Sequence, residues 1–303
     1  MQHIIEVSDL YKSYGNVQAV KGISFYAEAG KLLAFLGPNG AGKSTTIDMI
    51  CTFLKPDSGS ISVDGYELGK DDEKIRRSIG AVFQDGLLDE KLTVEENLLV
   101  RGAFYGLRGQ LLKNAVHKAI ETVNLGELAK RQYGKLSGGQ RRRCDIARAL
   151  VHTPKVLFLD EPTTGLDPQT RKSVWETILR LQRETEMTVF LTTHYMEEAA
   201  EADYVIVIDS GQIAAKGTPA ELREQYAADK LSLTGNLDNI RAVLEQNGVS
   251  YSISGGRCTV ELGKTIEALP LLEKCKPYLT GFEVSAGTMD DAFIGITGKE
   301  LRE

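Results

Sequence analysis

The apolar positions of the chain change period several times, and each change marks an element. Ile5 and Val7 alternate with polar neighbours, Leu10 to Gly15 closes on a glycine, and Ala19 to Phe25 alternates again, the period of short antiparallel strands buried on one face. Leu32 to Leu36 is instead continuously apolar and short, the pattern of a strand covered on both faces. Beyond a glycine-rich stretch, Ile47, Ile50, Cys51 and Leu54 recur at i, i+3, i+4 and i+7, which predicts a helix. Asp64-Gly65, set between Ile61-Ser62-Val63 and Tyr66, predicts a hairpin. Ile79 to Phe83 reads as a short strand ending at Gln84. Thr93-Val94-Glu95-Glu96 is a capping box that opens a region with helical spacing at Val116, Ile120 and Val123. This predicts a helical insertion over about 86–150.

Val156 to Leu159 and Thr188 to Leu191 are again short buried-strand patterns, and a helix opened by Pro168 carries Val174, Ile178 and Leu181 on one face between them. Tyr204 to Ile208 and Gln212 to Gly217 flank Asp209-Ser210-Gly211 as a hairpin, and Thr218-Pro219-Ala220-Glu221 starts a closing helix. From about residue 227 the pattern restarts. Strands at 230–234, 249–254, 257–262 and 281–286 alternate with helices at 237–246 and 265–278, followed by a helix at 288–296. That order is βαββαβ plus a terminal helix, a small ferredoxin-like α+β domain. The expected organisation is an α/β domain over 1–226, with antiparallel β and helical subdomains, and an accessory or regulatory domain over 227–303.

Composition narrows the class. The chain has 303 residues, 42% apolar and 26% charged, with a net charge of -6; these are the values of a soluble globular protein, and the mild acidity argues against a nucleic-acid surface. Arg141-Arg142-Arg143 does not change this. Successive helical positions point in different directions, so solvated or ion-paired arginines are expected. No run approaches the length of a membrane span, and Met1 to Glu6 lacks a secretory leader; a cytoplasmic location is expected. The four cysteines lack C-x-x-C spacing and read as reduced structural thiols.

The chemistry concentrates at strand ends. Gly37-Pro38-Asn39-Gly40-Ala41-Gly42-Lys43-Ser44, followed by Thr45, fits G-x-x-x-x-G-K-[ST] between a buried strand and a helix. Its backbone N–H groups can crowd around phosphate oxygens, Lys43 can neutralise the outer phosphates, and the Ser44 hydroxyl can ligate Mg²⁺. Asp160 and Glu161 end another buried strand, where an Asp completes a Mg²⁺ shell and an adjacent Glu can polarise water. Ser137-Gly138-Gly139-Gln140 opens a second helix whose N-terminus can meet an anion, although a simple cap explains it equally well. Taken alone, Gln84 reads as a solvated or capping side chain. His194 reads as a hydrogen-bonded bystander or, because its strand belongs with that of Asp160, as part of the site. Tyr11 and Tyr14 are half-buried packing or a base-stacking face.

In this order the motifs resemble the ATP-binding subunits of ABC transporters, over about residues 3 to 226. The resemblance implies that Tyr14, rather than Tyr11, stacks on adenine, that Gln84 senses Mg²⁺ and contacts the membrane subunit, and that Leu136 to Gln140 is the signature motif. It also implies that Asp160 ends the Walker B strand, that Glu161 is the catalytic base, that Asp167 lies in the D-loop and that His194 is the switch histidine. ATP and Mg²⁺ are the implied ligands, with Ser44, Gln84 and Asp160 around the metal. The implied partners are transmembrane permease subunits, holding the chain peripherally at the cytoplasmic face of the membrane, and no nucleic acid. Thr164-Gly165-Leu166-Asp167 departs from the more frequent Ser-Ala-Leu-Asp without touching the aspartate. Two helix N-termini separated by a helical insertion converge on one phosphate most economically across a C₂ dimer. The position of the C-terminal extension resembles the drug, sodium and lantibiotic exporter branch. An alternative from another class is a non-transport ABC ATPase of the translation or DNA-repair type, which the single cassette and lack of coiled-coil or zinc insertions oppose.

Overall fold

The computed structural model describes residues 2–298. Its backbone divides into two compact units between Lys216 and Gly217.

In the first unit, β1 (His3–Tyr14) and β2 (Val17–Glu28) form a long antiparallel hairpin, and β3 (Leu32–Leu36) leads through the glycine loop into α1 (Lys43–Ile50). β4 (Ser58–Val63) and β5 (Tyr66–Glu67) turn at Asp64-Gly65, and α2 (Asp72–Ser78) leads into β6 (Ile79–Val82). The insertion is helical, with α3 (Val94–Phe104), α4 (Gly109–Thr122) and α5 (Gly138–Leu150). β7 (Val156–Asp160), α6 (Pro168–Thr185), β8 (Thr188–Thr193), α7 (Met196–Ala200), β9 (Tyr204–Asp209) and β10 (Gln212–Gly217) complete the unit.

These strands build two sheets, a four-stranded one in the order β2-β1-β4-β5 and a six-stranded one in the order β10-β9-β3-β8-β7-β6. In the second, β3, β7 and β8 are buried along their whole length and pair in parallel. Their continuous apolar runs follow from cover on both faces, with Phe35, Phe158 and Phe190 at the centre of the core. Register then decides where the chemistry goes. Leu36 pairs with Thr193 and Asp160 with Thr192, so Gly37, Glu161 and His194 leave the sheet side by side at its carboxyl edge, the usual ligand-binding edge of an open α/β sheet.

The second unit contains α8 (Pro219–Tyr226), β11 (Asp229–Gly235), α9 (Leu237–Gln246), β12 (Ser252–Ser254), β13 (Arg257–Leu262), α10 (Ala268–Cys275), β14 (Leu279–Ser285) and α11 (Met289–Thr297). Its sheet runs β12-β13-β11-β14 with antiparallel pairs throughout, the split order of a βαββαβ chain. Leu231, Leu233, Cys258 and Val260 form a core with Ile240 and Leu244 of α9 and Ala268 and Cys275 of α10. The strand expected over 249–254 shortens to β12. The helix expected over 265–278 also breaks, ending in a short 3₁₀ turn at Lys276–Tyr278 where Pro277 lacks the N–H that a helix needs. The division falls ahead of α8 rather than after Tyr226, because α8 packs against α11.

Candidate active site

Gly42 precedes α1 in a left-handed conformation, φ 103°, and makes no side-chain cap. A Cβ at this position would stand 2.5 Å from the Ala19 carbonyl, so both the turn and its close packing need glycine. The first N–H groups of α1 are therefore left open to an anion. Lys43 is 4% exposed. Its Nζ donates to Gly37 O at 2.8 Å and Pro38 O at 3.2 Å and lies 3.2 Å from Glu161 Oε1. Ser44 Oγ donates to Asp160 Oδ1 at 3.3 Å, and Thr192 Oγ1 donates to the same oxygen.

An open cleft of about 380 Å³ lies over this loop, lined by Tyr14, Ala19, Asn39, Gly40, Gly42, Lys43, Ser44, Thr45, Gln84 and Glu161. The sequence-derived candidates from the loop, the β1 hairpin, the end of β6 and the end of β7 thus meet at one place. Tyr14 stands at the cleft, 51% exposed. Tyr11 does not line it and packs its hydroxyl end against Gly22. Pro38 and Ala41 shape the loop through backbone bonds, the Ala41 N–H donating to Pro38 O and the Ala41 carbonyl accepting from Gly211 N.

Glu161 has φ 45°, a left-handed geometry that is costly for a side-chain-bearing residue. Its N–H donates to Thr192 O and to Thr192 Oγ1, which pins the turn. The carboxylate is then held between Lys43 on one oxygen and, on the other, a bond from Thr164 Oγ1 at 3.3 Å and His194 Nδ1 at 3.6 Å. His194 Nδ1 is buried without a hydrogen-bond partner, and the imidazole lies behind Glu161 rather than among the residues lining the cleft. Thr192 and Thr164 escaped the sequence reading. The Thr192 hydroxyl joins the site because β7 and β8 are neighbours, and the Thr164 hydroxyl because the turn after β7 folds back onto Glu161.

Ser137 and Gln140 satisfy each other in a reciprocal capping box, Ser137 N donating to Gln140 Oε1 at 3.0 Å and Gln140 N to Ser137 Oγ at 3.4 Å. Neither they nor Gly138 and Gly139 line the Lys43 cleft. Gly138 instead faces a neighbouring groove that also includes Gln84, Tyr133 and Asp145. Asp167 caps α6, accepting from Thr170 N at 3.0 Å, and its bonds with Thr170 hold its carboxyl below the usual range.

The expectation for the triple arginine needs correction at its middle member. Arg142 is 7% exposed and donates to the carbonyls of Phe83, Asp160, Glu161 and Pro162. Backbone carbonyls at the strand ends, rather than a carboxylate, take its hydrogen bonds. Beneath the groove, burial pushes the Asp145 carboxyl up to about 6 despite the nearby Arg148 and Arg142, with the Tyr133 hydroxyl 3.3 Å away. All four cysteines are free and buried. Burial raises the Cys51 and Cys144 thiols, the latter to about 12, which leaves them unreactive.

The oxygen donors at Ser44 and Asp160, 3.3 Å apart, suit a hard divalent cation such as Mg²⁺. The uncapped helix end, the buried ammonium of Lys43 and a carboxylate in contact with that ammonium together suit a polyphosphate and its cleavage by water.

Residues 20–164 match the ABC transporter family. The chain is 37% identical over 313 residues to the linearmycin resistance ATP-binding protein LnrL of Bacillus subtilis (strain 168), an alignment covering 99% of this chain and 100% of that protein. It is 35% identical to the Nod factor export ATP-binding protein I of Rhizobium sp. (strain N33), over 99% of this chain and 98% of the other. Among solved structures, a dimeric post-hydrolysis state of the ATP-binding cassette MJ0796 bound to ADP and Pi superposes with a TM-score of 0.64 at 28% identity, covering 71% of this chain and 98% of that one.

Proposed function

The chain belongs to the ABC transporter family, as one of its ATP-binding and ATP-hydrolysing subunits, and from that premise we propose that it drives export of a substrate through separate membrane permease subunits. Among the described residues no helix is long and apolar enough to cross a membrane. In this reading the chain works at the cytoplasmic face and the pathway lies in its partners. Its similarity to a Nod factor export protein and a resistance protein supports export over translation or DNA repair.

The observation that carries the mechanism is the meeting of Glu161 and His194, at the ends of adjacent parallel strands, with Lys43 at an uncapped helix N-terminus. Tyr14 offers its exposed ring to adenine. The loop N–H groups and Lys43 take the phosphates, with Lys43 exchanging its present carbonyl and carboxylate partners for phosphate oxygens. Ser44 and Asp160, with Gln84 alongside, would hold Mg²⁺, which would neutralise charge on the outer phosphates. Glu161 accepts the proton of a water as that water's oxygen bonds to the γ-phosphorus and the bond to the β-phosphate oxygen breaks, giving ADP and phosphate. His194, beside the Glu161 carboxylate, takes part at the γ-phosphate. Ser137 to Gln140 reach the γ-phosphate of a second copy, because they lie outside this chain's own cleft.

Glu161→Gln tests the assignment. ATP binding, measured by calorimetry, is expected to persist while hydrolysis slows on the order of 100-fold or more, the usual size of a lost general base. Wild-type turnover in the variant would remove Glu161 from this role.

A further inference from the structure

Arg142 stands in the second turn of α5, the helix that Ser137 caps, and does not line the Lys43 cleft. Its Nε donates to Pro162 O at 2.6 Å, its Nη2 to Asp160 O and Glu161 O at 3.0 Å each, and its Nη1 to Phe83 O. The β6–β7 ladder ends with the pair Val82 and Leu159. The carbonyls that Arg142 collects lie just past the last pair of that ladder, and of them Glu161 O also accepts from the Thr164 N–H. A guanidinium can serve several carbonyls at once, because it presents five N–H groups in one rigid plane.

Two of those carbonyls flank the chemistry. The Glu161 N–H is held from β8 by Thr192, and its carbonyl is held from α5 by Arg142, so both peptide groups around a left-handed residue are fixed. Phe83, the third attachment, immediately precedes Gln84. One side chain thus joins the signature helix, the base and the stem of the glutamine loop.

We infer that Arg142 is a positioning residue for hydrolysis, holding Glu161 and the residue before Gln84 in one frame that moves with the signature helix. The inference rests on the reading of Glu161 as the base. It differs from a scaffold role in one respect: loss of the clamp acts on kcat through Glu161 and leaves nucleotide binding to the glycine loop alone.

The test is a double-mutant cycle on the full chain. Arg142→Lys keeps the charge but loses the planar fork, and Arg142→Gln keeps a planar donor without reach or charge. Each is made alone and with Glu161→Gln, and kcat and KM for ATP are measured, with single turnovers for the slow variants and thermal unfolding for all. KM is expected to stay within about threefold of wild type while kcat falls about 10- to 100-fold, the effect of misplacing a reacting group by a fraction of its bond reach. In the Glu161→Gln background the same substitutions are expected to change the rate less than about twofold, since the group they position is already gone. Unchanged kcat, or losses that multiply in the double variants, overturns the inference. So does failure of both Arg142 variants to fold, which assigns the clamp to scaffolding. Full turnover by Glu161→Gln alone strikes at the reading of the base instead, and is distinguished by that single variant.

Discussion

At the scale of single residues, buried polar groups in this chain divide by whether their partners can be exchanged. Lys43 is held by loop carbonyls and a carboxylate, all of which a phosphate can replace. Arg142 is held by the backbone carbonyls of Phe83, Asp160, Glu161 and Pro162, which a phosphate cannot replace, so it is built in. His152 shows a third arrangement. Its Nε2 is 2.8 Å from Ile79 O, its ring stacks on Tyr105 with centroids 3.8 Å apart, and its Nδ1 is buried without a partner. A second ring proton would have nothing to bond, and burial lowers its pKa from 6.5 to about 4. Above 6.5 neither folded nor unfolded chain is charged here; as pH falls below 6.5 the unfolded chain gains a proton that the folded one refuses until about 4, so stability is lost across that window. Asp145, raised to about 6, titrates there with the opposite sign, but equally in any variant that keeps it. The melting-temperature gap between wild type and His152→Gln is therefore expected to narrow as pH drops from about 7 to about 4.5; a constant gap would contradict a neutral buried His152. Lys43 and Ser44 were legible in the sequence from the glycine loop, and Glu161 from the carboxylate pair that ends an apolar strand, because each local pattern carries its own chemistry. Arg142 was not, because the carbonyls that bury it come from Phe83 and from 160–162, and backbone oxygens leave no mark on a sequence.

At the scale of elements, the start of α5 is set by its fit against α6 as much as by its cap. A Cβ on Gly139 would stand 2.2 Å from Thr170 Cγ2, so the second glycine of the signature is required by packing between helices in addition to any anion it meets. Gly139→Ala is expected to destabilise the fold by about 1 to 3 kcal/mol in urea unfolding, the usual penalty of overpacking. Thr170→Ser, which removes the obstructing methyl and keeps the N–H that Asp167 accepts, should recover most of that loss; a double variant no more stable than Gly139→Ala would place the strain elsewhere. Elements with a period or a cap were readable, down to the capping boxes at Thr93 and Thr218. Ends decided by neighbours were harder. Val249 and Tyr251 are apolar enough to suggest a strand, yet they pack onto the core of the second unit ahead of the three paired residues of β12.

At the scale of the whole molecule, the sequence already carried the order of motifs, while the division ahead of α8 depended on contacts with α11 that no local pattern encodes. The central claim is that the residues of one cleft are incomplete until a second copy supplies Ser137 to Gln140, none of which lines Lys43's cleft in this chain. Lys43→Ala removes the charge for the phosphates, and Ser137→Arg blocks the signature; each variant alone is then left with no complete site. Mixed in one dimer, however, the Ser137→Arg chain contributes an intact Lys43 and the Lys43→Ala chain an intact signature, which together rebuild one of the two sites. The decisive measurement is steady-state ATP hydrolysis by the two purified variants, separately and mixed in equal amounts. Sites shared across the dimer require the mixture to hydrolyse ATP well above the sum of the separate rates, whereas a mixture no faster than that sum would contradict the shared site and return the signature to its own cleft.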